Sequence, residues 1–190
     1  MTIKRKWIIF LVAFLLTVNG ACYMAFADHD DHGQKRRYQK RGWNHPKHDG
    51  KYSLTPVNNS THIEHCGACH FAYQPELLPS GSWTKILGGL EDHFGEVIDL
   101  DPESKKVISE YLKTNAAEYS SAKLASKILR SIGRQTPLRI TQIPYIQRKH
   151  HEIRADVFKK ESIGSPSNCL SCHTTADRGI YEDDYVVIPR

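Results

Sequence analysis

The sequence predicts a small, mainly α-helical domain, and three observations support this fold class. Apolar residues recur at helical spacing through most of residues 80–154. Serine, Asp-Pro and glycine stand where these apolar stripes begin and end, as helix boundaries require. Only the closing run "DDYVVIPR" has the apolar, β-branched character of a strand. We therefore expect a helical domain with long loops at both of its ends.

Two helices are predicted in the first half of this stretch. One begins at a cap formed by Ser80 or Ser82 and carries apolar residues at helical spacing as far as Val97. The next has Asp101 as its N-cap and Pro102 at its first helical position, an arrangement that helix N-termini favour. The residues of this second helix that are predicted to face inward are Val107, Ile108, Tyr111 and Leu112.

Two further helices are predicted in the second half. A third helix covers "AAEYSSAKLASKILRSIG", and Gly133 supplies its stop. Its predicted inward-facing residues are Leu124, Ile128, Leu129 and Ile132. A fourth helix begins near Pro144 and runs through "YIQRKHHEIR".

The first 27 residues have the pattern of a secretory signal peptide. Three cations at positions 4–6 precede an apolar stretch over residues 7–18, and Ala-Phe-Ala follows at positions 25–27. Cleavage after Ala27 predicts an exported protein. An uncleaved membrane anchor is the alternative, although the apolar stretch is shorter than the roughly 20 residues of a membrane span. A lipoprotein signal through Cys22 is weaker still, because Asn19 stands where such signals usually place leucine.

Residues 28–58 are charged, punctuated by glycine and proline, and almost free of aliphatic side chains. Such a segment buries too little apolar surface to offset its ordering entropy, so we expect a flexible arm. Its histidines are interpreted as solvated residues rather than a metal site; they are His29, His32, His45 and His48. The predicted organisation is a signal peptide at 1–27, this arm at 28–58 and one domain at 59–190.

Export changes both the charge and the cysteine count. The formal net charge is +5, but loss of the three signal-peptide cations leaves 23 basic and 21 acidic residues, a net charge of +2. This near-neutral balance does not indicate nucleic-acid binding. Cys22 leaves with the signal peptide, so the mature chain keeps four of its five cysteines.

These four cysteines occur in two copies of the pattern CxxCH, "CGACH" at residues 66–70 and "CLSCH" at residues 169–173. In a c-type haem site, two thiols on one turn of chain attach to the vinyl groups of the porphyrin, and the following histidine binds the iron. Two copies that use every cysteine of an exported chain predict two covalently bound haems. The predicted attachment residues are Cys66, Cys69, Cys169 and Cys172, and the predicted proximal iron ligands are His70 and His173.

Three other uses of paired cysteines fit the sequence less well. A four-cysteine zinc site typically has about 15–20 residues between its pairs, whereas 99 residues separate Cys69 from Cys169. A thioredoxin-like redox motif requires a βαβ unit, and no parallel-strand pattern is visible. Disulfides within each pair are compatible with an oxidising compartment. None of the three requires a histidine after each pair.

The sixth iron ligand follows from an absence of methionine. Met1 and Met24 are the only methionines, and both lie in the signal peptide, so His/Met coordination is excluded after cleavage. His62 and His65 lie too close to the first motif to reach over its haem.

Three histidines remain outside the arm. His93 lies on the predicted apolar stripe of the first helix and His150 on that of the fourth, whereas His151 lies on the polar side of the fourth. A lone histidine on an apolar face is ordinarily a core residue, but two irons without methionine favour a ligand. We predict His93 and His150 as distal ligands, with His151 as the alternative to His150.

The stretches "CGACHFAYQPELLPSGSW", "GLEDHFGE", "ITQIPYIQRKHHEI" and "NCLSCHTTADRG", with a closing "VVIPR", resemble the dihaem cytochrome c family, abbreviated DHC. The resemblance covers the chain from about Thr61 onward. It implies a bis-histidine, low-potential electron carrier of the bacterial periplasm. It also implies a redox partner, either a small oxygen-binding monohaem c-type cytochrome or a membrane quinol-oxidising or cytochrome b-type protein.

The leading functional hypothesis is therefore an electron carrier that is not an enzyme and does not span the membrane after cleavage. The alternative is a small haem enzyme, such as a peroxidase or oxyanion reductase, with one five-coordinate iron. A structural zinc protein is a third hypothesis. The number of histidines on predicted apolar helix faces distinguishes the carrier hypothesis from the enzyme hypothesis. Two such residues are present, which is one for each iron.

Overall fold

The computed structural model describes residues 53–189, which belong to one compact unit. The predicted signal peptide and the predicted arm up to residue 52 lie outside the described residues. None of the helices in the described part has the length and apolarity needed to span a bilayer.

Five α-helices form the described part of the chain, joined by short 3₁₀ turns. They are α1 Ser60–Cys66, α2 Ser80–Gly88, α3 Pro102–Thr114, α4 Lys123–Ile132 and α5 Pro144–His150. No β-strand occurs within residues 53–189; two isolated antiparallel bridges take the place of a sheet there. The predicted mainly α fold class is confirmed.

Helix α3 begins as predicted. The Asp101 side chain accepts hydrogen bonds from the backbone N–H groups of Glu103 and Ser104, and Pro102 occupies the first helical position. These contacts satisfy N–H groups that have no partner inside the helix. The helix packs against α2 and α1 and buries Ile108 and Leu112, two of the four residues predicted to face inward.

Helix α4 ends as predicted but begins later. Gly133 has a φ of +56°, a conformation that glycine adopts without strain, and its N–H caps the helix by donating to Leu129. At the other end, the predicted start is replaced by a 3₁₀ turn at Ala117–Tyr119. The buried face of α4 carries Ala125, Ile128 and Ile132.

One apolar core joins the helices and the loops around them. Its large buried members include Leu54, Leu77, Leu78, Trp83, Leu87, Ile108, Leu112, Ile128, Ile132 and Ile143. Leu54 precedes the predicted domain boundary, yet its N–H donates to the carbonyl of Gly179 at 2.9 Å. A Cβ at Gly179 would lie 2.2 Å from the Leu54 oxygen, so this close approach requires glycine.

The predicted extent of the first long helix was wrong. Helix α2 stops at Gly88, and residues 90–92 form a 3₁₀ turn instead of continuing toward Val97. Adjacent glycines at 88 and 89 weaken the helix by about 1 kcal/mol each relative to alanine. The Asp92 carboxylate then accepts from the N–H of Gly95, which stabilises a turn, and Phe94 lies within this turn with a φ of +59°.

The predicted C-terminal strand was also wrong. Asp183–Tyr185 form a 3₁₀ turn, and the residues after it make a single bridge, between Val186 and His173. The N–H of Val187 donates to the carbonyl of Cys172 at 2.9 Å. The apolar run has no neighbouring strand to pair with, so its backbone bonds to the second CxxCH segment instead.

Helix α1 was not predicted. Its N-cap is Asn59, whose side chain accepts from the N–H of His62 at 2.8 Å. With only seven residues and a single fully buried side chain, it presents no apolar stripe that periodicity could detect.

Candidate functional site

The first CxxCH motif begins at the last residue of α1, Cys66. The N–H of Gly67 donates to the carbonyl of Ile63 at 2.9 Å and turns the chain away from the helix. A Cβ at Gly67 would lie 2.3 Å from the Ile63 oxygen, so only glycine allows this turn. The turn brings Cys66, Cys69 and His70 to one side of a cavity.

The ring of His70 has a defined tautomer. Its Nδ1 lies 2.9 Å from the carbonyl of Phe71. Because a carbonyl only accepts, Nδ1 carries the proton and Nε2 keeps the lone pair that binds a metal. A metal-binding imidazole is commonly oriented by such a bond to a backbone carbonyl, and the first motif has one.

His62 holds the same loop from the other side. It is 2 % exposed, and its Nε2 donates to the carbonyl of Tyr73 at 3.1 Å, which closes the loop across the motif. Burial lowers the pKa of His62. His62 therefore fixes the loop, and His65, in the last turn of α1, lines the cavity beside it.

His93 faces His70 across this cavity. Their ring centroids are 6.5 Å apart. A metal ion binds an imidazole nitrogen at about 2 Å, and the ring centre lies about 1 Å behind that nitrogen, so two imidazoles on opposite sides of one metal have centroids about 6 Å apart. His93 reaches this position from a tight turn rather than a helix, because its N–H donates to the carbonyl of Glu96 at 2.7 Å.

The cavity between these histidines has a volume of about 280 Å³ and mostly apolar walls. Those walls include Leu78, Trp83, Ile86, Leu87, Leu90, Ile98, Leu100, Leu112, Leu138 and Ile140. Two thiols, two opposed imidazoles and an apolar lining are the donor set and surroundings that a covalently attached porphyrin requires. The residues present thus fit a c-type haem.

The second CxxCH motif forms a 3₁₀ turn at Cys169–Ser171, and the N–H of His173 donates to the carbonyl of Cys169 at 2.7 Å. The rings of His173 and His150 have centroids 5.8 Å apart, again near the spacing of two ligands on one metal. The Nδ1 of His150 donates to the carbonyl of Ile146 at 2.8 Å, which leaves the lone pair of the ring on Nε2. The Nδ1 of His173, by contrast, is buried without a hydrogen-bond partner.

His150 and the next residue, His151, have different surroundings. His150 is the last residue of α5 and is half-buried, with its ring toward the second motif. His151 is exposed: its Nδ1 bonds to the carbonyl of Arg148, and its Nε2 lies 4.0 Å from Glu152. The geometry favours His150 as the distal residue at this motif. The predicted fourth helix was too long: it was expected to run through residue 154, but α5 ends at His150.

The other uses of paired cysteines find no support in the described part of the chain. Its four cysteines are all free. Burial raises the pKa of Cys66 and of Cys169 to about 11, the reverse of what a reactive redox thiol needs. Within residues 53–189, no group of three or more His, Cys, Asp or Glu side chains could hold a metal ion, so the zinc arrangement is not found there.

Sequence reasoning missed a set of polar side chains between the two motifs. Gln74 is fully buried; its amide donates to the carbonyl of Ala176 at 2.7 Å and accepts from the Tyr181 hydroxyl at 2.6 Å. Tyr73 contacts His70, with ring centroids 4.7 Å apart, and Tyr181 lies 5.7 Å from His173. No periodic pattern marks these residues, and their position a few residues after one of the two motifs is the only sequence signal.

Comparison with known proteins gives matches to dihaem cytochromes c. The family model of dihaem cytochrome c matches residues 62–181. A dihaem cytochrome c from Rhodobacter sphaeroides is 41% identical with a TM-score of 0.59, over 68% of this chain and 100% of that one. A dihaem cytochrome c from Shewanella baltica OS155 is 35% identical with a TM-score of 0.56, over 69% of this chain and 93% of that one. No curated protein matches.

The matched segment covers more than half of the chain and includes both CxxCH motifs. Membership implies two covalently bound c-type haems and a role in electron transfer. The chain belongs to the dihaem cytochrome c family.

Proposed function

We propose that this protein is a periplasmic electron carrier whose two haems each have two histidine ligands and a low potential. Cys66 and Cys69 hold the first haem, and Cys169 and Cys172 hold the second. The proposed axial pairs are His70 with His93, and His173 with His150. Each haem supplies a single iron that is reduced and oxidised by one electron.

The observation that carries this proposal is the pair of opposed imidazoles at each motif. Centroid distances of 6.5 Å and 5.8 Å lie on either side of the roughly 6 Å expected for two imidazoles on one metal. In both pairs, one histidine belongs to a CxxCH motif and the other comes from a distant segment. A haem enzyme needs an iron with one face open to substrate, and this arrangement closes both faces.

The low potential is proposed on the basis of the axial ligands and their hydrogen bonds. Histidine in place of methionine as the sixth ligand lowers the haem potential, because axial identity moves that potential across roughly 0.8 V. The Nδ1–H groups of His70 and His150 also donate to backbone carbonyls. Such bonds make an imidazole a stronger donor to the metal, which favours the oxidised iron.

Location and partners belong to the same proposal. The signal-peptide pattern of the first 27 residues supports export to the periplasm. There the protein would take electrons from a membrane-bound donor, such as a cytochrome b or quinol-oxidising protein. A small oxygen-binding monohaem c-type cytochrome is the proposed soluble acceptor.

Carbon monoxide provides a direct test, because it binds ferrous haem only where an axial position is open. We expect the dithionite-reduced wild-type protein to show no carbon monoxide-induced shift of the Soret band. His150→Ala is the positive control, since removal of a distal ligand opens one iron. A rapid shift in the wild type of the size seen in this control would show an open site and favour the enzyme alternative.

A further inference from the structure

Tyr73 connects the two haem-attachment segments. Its ring lies against the ring of His70, with centroids 4.7 Å apart and planes inclined by 31°. That distance lies within the contact range of aromatic rings, so the two side chains touch. Tyr73 is therefore in direct contact with the proposed proximal ligand of the first haem.

The other end of Tyr73 reaches the second motif. Its hydroxyl donates to the carbonyl of Ser167 at 2.5 Å, a residue 94 positions further along the chain. The Sγ of Cys169 lies 3.6 Å from that same carbonyl oxygen. The phenol oxygen and the sulfur thus share one neighbour, and a single side chain extends from His70 to the first attachment cysteine of the second haem.

The walls of the first cavity show the same proximity. Ser167 and Cys169 line it together with Cys66 and His70. The segment that attaches the second haem is therefore part of the wall around the first. Tyr73 lines this cavity as well and is half-buried.

We propose that Tyr73 is a positioning residue for electron exchange between the two haems. Its hydroxyl holds the Cys169 segment against the first site, and its ring fills the space between His70 and that segment. In each exchange, one electron leaves one iron and arrives at the other, so one haem is oxidised as the other is reduced. Tyr73 itself keeps its proton and its electrons. The inference rests on the proposed two-haem carrier function.

The test measures electron exchange within half-reduced holoprotein by NMR of the haem-methyl signals. In Tyr73→Leu, which lacks both ring and hydroxyl, we expect exchange to slow by about tenfold or more, because transfer between positioned groups falls steeply when they move apart. In Tyr73→Phe the ring remains but the bond to Ser167 is lost, and we expect a slowing of about fivefold. Measurement at two protein concentrations separates exchange within one molecule from exchange between molecules.

Tyr111→Phe is the matched control. Tyr111 is also partly buried, but its ring contacts His62 and neither motif histidine. We expect its exchange rate to equal that of the wild type. Equal rates in Tyr73→Phe and Tyr111→Phe would overturn the proposal, whether or not Tyr73→Leu can be isolated. The EPR spectrum separates this failure from that of the carrier function: two low-spin haems with an unchanged rate contradict only the role of Tyr73.

Discussion

Replacement of His150 by alanine turns one of the two haems high-spin, whereas replacement of the next residue, His151, leaves both low-spin. His150 faces His173 at 5.8 Å, while His151 is exposed and directed toward Glu152. The variant keeps both attachment cysteines of each haem, so the mass of the protein still includes two haems. We expect the reduced His150→Ala protein to bind one equivalent of carbon monoxide and the His151→Ala protein to bind none.

His93→Ala should turn the other haem high-spin and open it to carbon monoxide in the same way. Its control is His65→Ala, because His65 lines the same cavity but belongs to α1, next to the attachment cysteines. The His93→Ala, His150→Ala double variant is expected to bind two equivalents of carbon monoxide. Binding to His151→Ala instead of His150→Ala would show that the assignment of the distal ligand at the second motif is wrong.

The second large effect concerns Gln74, the buried amide between the motifs. In Gln74→Leu, the hydroxyl of Tyr181 loses its acceptor, and the carbonyl of Ala176 keeps only the N–H of Gly179 as a donor. A buried polar group without a partner costs about 1–3 kcal/mol. We therefore expect the free energy of unfolding of the holoprotein to fall by about 2 kcal/mol, measured by guanidinium titration with circular dichroism.

Gln142→Leu is the matched control for this change. Gln142 is exposed, so we expect its substitution to alter the free energy of unfolding by less than about 0.5 kcal/mol. Equal stabilities of Gln74→Leu and Gln142→Leu would contradict the role of the amide in joining the two motifs. A loss confined to Gln74→Leu supports it.

Much of the fold follows from local signals in the sequence. Asp101 and Pro102 begin α3, and Gly133 ends α4, because a cap needs only its own few residues. The two CxxCH motifs are equally local, since the chemistry of attachment depends on five consecutive residues. These features were predictable because no distant partner is required to form them.

The prediction of His93 had a different basis. It rested on a helical stripe that ends before residue 90, so the stated position on a helix was wrong. The prediction then rests on the supply of ligands alone: the chain has no methionine after residue 24 and few histidines after residue 58. The turn at Asp92 and Gly95 that brings the ring opposite His70 depends on side-chain capping, which apolar periodicity does not detect.

Contacts between distant segments could not be predicted from a single sequence. Tyr73 meets Ser167 across 94 positions, and Gln74 meets Tyr181 across 107. Neither pair has a spacing or composition that predicts it, because such contacts arise only when the packed helices bring the two motifs together. The C-terminal run shows the same limit: its apolar character indicated a strand, but it lies beside a CxxCH turn.

The most direct test of the central claim is the EPR spectrum of the fully oxidised wild-type protein, integrated against its haem content. Two histidine ligands on each iron predict two low-spin ferric signals that together account for both haems. A high-spin signal that integrates to one haem per chain would contradict the bis-histidine carrier and indicate an iron with an open position.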